Sequence, residues 1–133
     1  MRKTAQAVLK MLKEEHPLPT NINLEMRCYD RPTLTARNTL QGSCTALGYV
    51  ERRPQGADIC IAIKQPMAQV VDTVLHEYYH CLQKYVLNID DNHPDLEPQA
   101  RQFAANFTFR YIRLLNQRRT ALQMRKVCCR QIA

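Results

Sequence analysis

His76-Glu77-Tyr78-Tyr79-His80 stands in the middle of a chain of 133 residues. Two histidines four positions apart lie one turn apart on the same side of a helix, so both imidazoles can reach one divalent cation. The Glu between them is turned by about 100° and stands beside the metal. That spacing is the half-site of a metal-assisted hydrolase. Zn²⁺ at such a site acidifies water and polarises a scissile carbonyl, while Glu77 takes the proton and later delivers it to the leaving amine. A catalytic zinc keeps three protein ligands and one open position, so a third ligand is required. Glu97, Asp90, Asp91, His93 and Asp95 follow downstream. Glu97 is favoured because it falls in the first turn of a helix whose Ala100 and Ala104 are small enough to let that helix approach the motif. A helix also holds a ligand more firmly than the loop around His93 and Pro94. The expected metal set is His76, His80 and Glu97. A further group should stabilise the developing oxyanion, and Tyr79, His93 and Tyr111 remain open alternatives for it.

The elements that must position these groups are read from hydrophobic periodicity. Ala7, Val8, Met11 and Leu12 share a face over Thr4 to Glu15, and His16-Pro17-Leu18-Pro19 ends that helix. Ile22, Leu24, Met26 and Cys28 alternate with polar residues, the period of a half-buried strand. Cys44 to Arg52 and Asp58 to Lys64 read as two further strands joined through Arg53-Pro54-Gln55-Gly56 as an antiparallel hairpin. After Pro66 the period becomes helical, with Val71, Val74, Leu75, Tyr78, Leu82 and Tyr85 on one face as far as Asn88. His76 and His80 point away from that face. Asp95 is placed to cap a long helix carrying Leu96, Ala100, Phe103, Phe107, Tyr111 and Leu114. The expected class is α+β: a small, mostly antiparallel three-stranded sheet packed on an N-terminal helix, the motif helix and a long C-terminal helix. With no linker or repeat, residues 1–133 read as one domain ending in a basic helix and tail over about 116–133.

Thr73-Val74-Leu75-His76-Glu77, His80, and then Glu97, Ala100, Phe103 and Ala104 resemble the minimal gluzincins of the ImmA/IrrE type, zinc peptidases of bacteria and mobile elements that cleave repressor proteins. The resemblance covers Asp58 to Phe107. It implies a zincin-like fold, Glu97 as third zinc ligand, and a protein or peptide substrate such as a repressor. It also implies that the strand Ile59 to Ile63 is the sheet edge on which extended peptide docks, with Ile61, Ala62 and Ile63, and His93 nearby, as substrate-binding residues. Four residues after Glu97 the family usually has Asn or Asp, and this chain has Arg101. The acceptor that orients a ligand imidazole must then come from elsewhere, and Asp72, one turn before His76, is the expected substitute.

Composition limits the remaining classes. Hydrophobic residues make up 45% of the chain with three Gly, which suits a folded body and not a disordered one. No apolar run reaches the roughly 20 residues a membrane helix needs, and Met1 to Lys13 lacks a signal-peptide core, so no membrane partner and a cytoplasmic location are expected. Six cysteines without a secretory signal read as reduced thiols, and adjacent Cys128 and Cys129 are a poor start for a metal site. The net charge of +7 is unevenly spread. No acidic residue follows Glu97, whereas Arg101, Arg110, Arg113, Arg118, Arg119, Arg125, Lys126 and Arg130 do. Arg118, Arg119, Arg125 and Lys126 therefore suggest a nucleic-acid or acidic-protein contact. The alternative function is a weak or inactive zincin scaffold that binds such a partner through this helix.

Overall fold

The first helix, α1 (Arg2–Glu15), turns Ala5, Val8, Leu9, Met11 and Leu12 inward. Each of the four larger side chains, fully buried, contributes about 1.5–3 kcal/mol. A computed structural model describes residues 1–38 and 42–132, with side chains outside 37–43 and 128–133. After α1 come β1 (Asn23–Tyr29), β2 (Leu34–Asn38), β3 (Gly42–Ala46), β4 (Gly48–Arg53), β5 (Gly56–Ala62), α2 (Met67–Tyr85) and α3 (Leu96–Ile132). The architecture is α+β, with three helices and a small mixed sheet.

Strand order is β1-β5-β4, with β1 parallel and β4 antiparallel to β5. This corrects the expectation of a mostly antiparallel sheet. The hairpin through Pro54 and Gln55 forms as expected, but β1 joins the far side of β5 in the same direction. Every residue of β5 is buried, as a strand enclosed on both faces and both edges requires. Gly56 permits the parallel pairing, because a Cβ there would lie 1.7 Å from the Asn23 carbonyl oxygen. Cys44 to Arg52 is likewise not one strand. The chain breaks at Leu47, whose carbonyl accepts the Ala62 N–H at 2.9 Å. The residues before that break form β3, which pairs antiparallel with β2 in a separate two-stranded sheet.

Helix α2 starts after Pro66, whose ring fixes a backbone angle suited to helix entry. It buries Val70, Val71, Val74, Leu75, Tyr78 and Leu82. It ends at Tyr85, earlier than expected. Asn88 then takes a left-handed φ of 54°, which Asn tolerates better than most residues, and the chain swings toward α3. In α3, Pro98 falls among the first residues, where helical N–H groups have no internal partner and its missing donor costs nothing. Ala100, Ala104, Thr108, Tyr111 and Leu115 form the buried stripe of α3. The helices are pinned by polar contacts as well. Glu15 accepts bonds from Arg110 at 3.0 Å and from the Tyr111 hydroxyl at 3.0 Å. Tyr78 donates its hydroxyl to the His16 carbonyl at 2.5 Å. Among the described residues, no helix is long and apolar enough to cross a membrane.

Candidate metal centre

Helix α2 presents His76 and His80 from successive turns, and the first turn of α3 brings Glu97 to both. His80 Nε2 lies 2.8 Å from Glu97 Oε1, His76 Nε2 lies 3.1 Å from Glu97 Oε2, and the two Nε2 atoms are 3.2 Å apart. Ligand atoms sharing a tetrahedral ion at about 2.0–2.2 Å stand roughly 3.3 Å from one another, so this spacing suits one small cation. The histidines are mostly covered and Glu97 is 57% exposed, which leaves the group reachable from solvent. Asp90, Asp91, His93 and Asp95 stand apart from this group of three.

The chemistry of the donors points the same way, through a residue that sequence reasoning missed. Gln83, one turn beyond His80 on α2, is only 1% exposed. Its Nε2 donates to the Leu96 carbonyl at 3.0 Å and to Gln99 Oε1 at 3.1 Å, both on α3. A carbonyl oxygen can only accept, so the Gln83 atom facing Leu96 must be the NH₂ group, and the amide oxygen is left facing His80 Nδ1 at 2.8 Å. Nδ1 is therefore the protonated nitrogen, and Nε2 of the neutral ring turns a lone pair toward the Glu97 carboxylate. Lone pairs converging at these distances need a cation or a proton between them. The His80 and Glu97 pKa values respond to that proximity. Burial works to lower that of His80 but is outweighed by bonds to Glu97 and Gln83, so the net direction is up. Bonds from His76 and then His80 hold Glu97 far below the ordinary carboxylate range.

Asp72, the expected substitute for the missing acidic residue at Arg101, does not serve that purpose. It accepts a long bond, 3.5 Å, from Thr108. Orientation of the ligand imidazole falls to Gln83. The visible signal was a long polar residue three positions after His80, on the same side of the helix as the two histidines.

Glu77 is buried beside the histidines. Desolvation raises its pKa, opposed by the charges of His76 and His80. The backbone of β4 passes close over it: a Cβ on Gly48 would lie 2.6 Å from Thr73 Cγ2 and 3.2 Å from Glu77 Cγ. Gly48 is thus the second residue missed, and the absence of its side chain lets a strand edge reach the acidic group. β4, not β5, is that edge. The substrate-binding role expected of Ile61, Ala62 and Ile63 is corrected accordingly. Ile61 and Ala62 lie in the central strand, paired on both sides, and the Ile63 N–H bonds to the Tyr29 carbonyl at 2.9 Å.

The oxyanion candidates separate. Tyr111 is fully buried, its hydroxyl committed to Glu15. Tyr79 stacks on Phe103 at 4.7 Å between centroids, within a cluster that also holds Phe107 and His16. His93 stays in its exposed loop, where Nδ1 accepts the Asp95 N–H at 3.1 Å. Cys28, Cys44, Cys60 and Cys81 are free thiols. The side chains of Cys128, Cys129 and Arg130 lie outside the described residues. Arg118, Arg125 and Lys126 are exposed on α3 beyond the body, whereas Arg119 reaches back to Thr4 Oγ1 at 3.2 Å. Comparison of the chain with protein-family models, curated proteins and solved structures finds no match.

Proposed function

We propose that the chain is a zinc-dependent endopeptidase of minimal zincin type, acting on an extended segment of a protein substrate such as a regulatory protein. The observation that carries this reading is the convergence of His76, His80 and Glu97 on one point, with buried Glu77 beside them and β4, the edge strand of its sheet among the described residues, close to Glu77. Two nitrogens and a carboxylate oxygen suit zinc better than calcium or magnesium, which prefer all-oxygen shells. Zinc bound there supplies Lewis acidity toward a water and a scissile carbonyl.

The chain's own groups do the rest. Gln83 holds His80 in the tautomer that leaves Nε2 free. Glu97 supplies the anionic donor, fixed by the helix start that Gln83 also grips. Glu77 accepts the proton of the attacking water and passes it to the leaving amine. The outer backbone edge of β4 pairs with the substrate main chain and sets its register beside Glu77.

The test is elemental analysis of the purified protein combined with two variants. His76→Ala should lose stoichiometric zinc. Glu77→Gln should keep zinc and lose peptide hydrolysis by about 10²-fold or more. A wild-type protein that takes up no zinc removes the metal centre, and full activity in Glu77→Gln removes the mechanism.

A further inference from the structure

Beyond Leu115, α3 leaves the body. No residue from Asn116 to Val127 is buried, yet the helix continues to Ile132. At 1.5 Å per residue this overhang is about 25 Å long. A free helix of that length is marginal in water without tertiary packing, and this one has no acidic residue to pair with its cations.

The cations are not scattered around it. Arg118, Arg119, Arg125 and Lys126 continue the stripe of Ala104, Thr108, Tyr111 and Leu115, the side that faces the body lower down. The overhang therefore turns its positive face toward the N-terminal end of α1, which Arg119 touches through Thr4 at 3.2 Å. That end carries exposed Lys3 and no acidic residue in its first turn, while the Arg2 guanidinium donates to the Cys28 carbonyl at 3.2 Å. No Asp or Glu occurs before Glu14 or after Glu97. The acid-free start of α1 thus supplies no partner for the cationic face of the overhang, whose charges repel one another unless an anion lies against them.

We propose that this cationic face binds double-stranded nucleic acid, with the α3 overhang lying along the duplex. The partner's class follows from where the other side chains lie. Phe109 and Val127 are nine positions from Arg118, about 180° away around the helix, and Met124 is about 120° away. A protein partner seated on the apolar residues would miss the cations, and one seated on the cations would find little apolar surface beyond Leu122. The major groove admits a helix of this width. The inference stands on the overhang alone and does not depend on the metal centre.

The experiment is fluorescence anisotropy of the full chain with a labelled duplex of about 20 base pairs, titrated over about 50–200 mM salt. Four to six phosphate contacts should give a log–log salt slope of about −4 to −5. The triple variant Arg118→Gln, Arg125→Gln, Lys126→Gln leaves the Arg119 contact intact. It should bind at least tenfold more weakly and flatten the slope by about 3. Its circular dichroism and thermal unfolding serve as checks on folding. No binding at about 50 mM salt, or a slope near zero, overturns the proposal without any variant. Equal binding of the triple variant overturns it as well. Tighter binding to polyglutamate than to duplex would assign the cationic face to an acidic protein, and a tenfold preference for the single strand would assign it to unpaired nucleic acid. Either result rejects the duplex.

Discussion

Replacing Gln83 by Met keeps the length and approximate volume of a fully buried side chain but removes one acceptor and two donors. His80 Nδ1–H then loses its partner, and the imidazole is free to rotate or to exchange tautomers. Loss of such an outer partner lowers metal affinity by 10–100-fold in comparable sites, about 1.4–2.7 kcal/mol. A second effect is separate. The Leu96 carbonyl and Gln99 Oε1 lose a donor at the α2–α3 contact, and each such part-buried hydrogen bond contributes about 0.5–1.5 kcal/mol of stability. Gln83→Glu separates the two effects: its carboxylate still accepts from His80 Nδ1, but it offers no hydrogen to Leu96 or Gln99. Competition against a chromophoric zinc chelator should therefore show the Met variant weakened at least tenfold and the Glu variant close to wild type. Chemical denaturation of the metal-free proteins should show both destabilised. Unchanged zinc affinity in Gln83→Met would refute the argument that this amide sets the imidazole tautomer. Equal loss in both variants would mean that Gln83 serves packing alone.

Three other predictions concern the surroundings. Gly48→Ala forces a methyl group into Thr73 and against Glu77, so overpacking should cost about 1–3 kcal/mol; hydrolysis should fall more than zinc binding, which activity assays and metal titration on the same protein will separate. Asp91 accepts a bidentate pair from Arg52 at 2.5 and 2.6 Å, which holds its pKa at about 2, with Lys84 also close. Because the folded pKa is depressed, the contribution to stability is present above about 3.9 and lost as pH falls toward 2. The pair is half exposed, so this contribution is within about 1 kcal/mol. An NMR titration should place the Asp91 midpoint near 2, returning toward about 3.9 in Arg52→Gln. Zinc should raise the unfolding midpoint of wild type in proportion to the logarithm of free metal, as a ligand of the folded state must, and thermal scans of His80→Ala should show no such rise.

The motif helix was legible because its two requirements do not compete: apolar residues occupy one face and His76 and His80 another. The start of the long helix was legible from Asp95, and its closeness to the motif from Ala100 and Ala104. The sheet was harder. Leu24 and Cys28 alternate correctly in β1, yet alternation says nothing about the direction of a neighbour, and the parallel pairing depends on a crossover that local pattern does not encode. The resemblance makes β5 an edge, although its unbroken apolar run Ile59-Cys60-Ile61-Ala62 is what an enclosed strand carries. Gly48 escaped notice because its value lies in what α2 places against it, a tertiary fact with no local signature. Gln83 escaped for a related reason, since its three partners come from two helices and the loop between them sets their meeting.

One side chain thus ties the two halves of the site together. Gln83 orients His80 through its oxygen and grips the first turn of α3 through its nitrogen, and that same turn carries Glu97. Any shift of α3 along α2 that displaces the carboxylate also strips the amide of its carbonyl partner, so the position of the third ligand and the tautomer of the second are set by one packing arrangement. Ala100 and Ala104 permit the close approach, but small residues alone would tolerate a slide of the helix. The amide makes that slide costly by directional bonding. A cation between His76, His80 and Glu97 would add a second clamp at the same junction. This explains how Glu97, more than half exposed, can hold a defined position without being packed in.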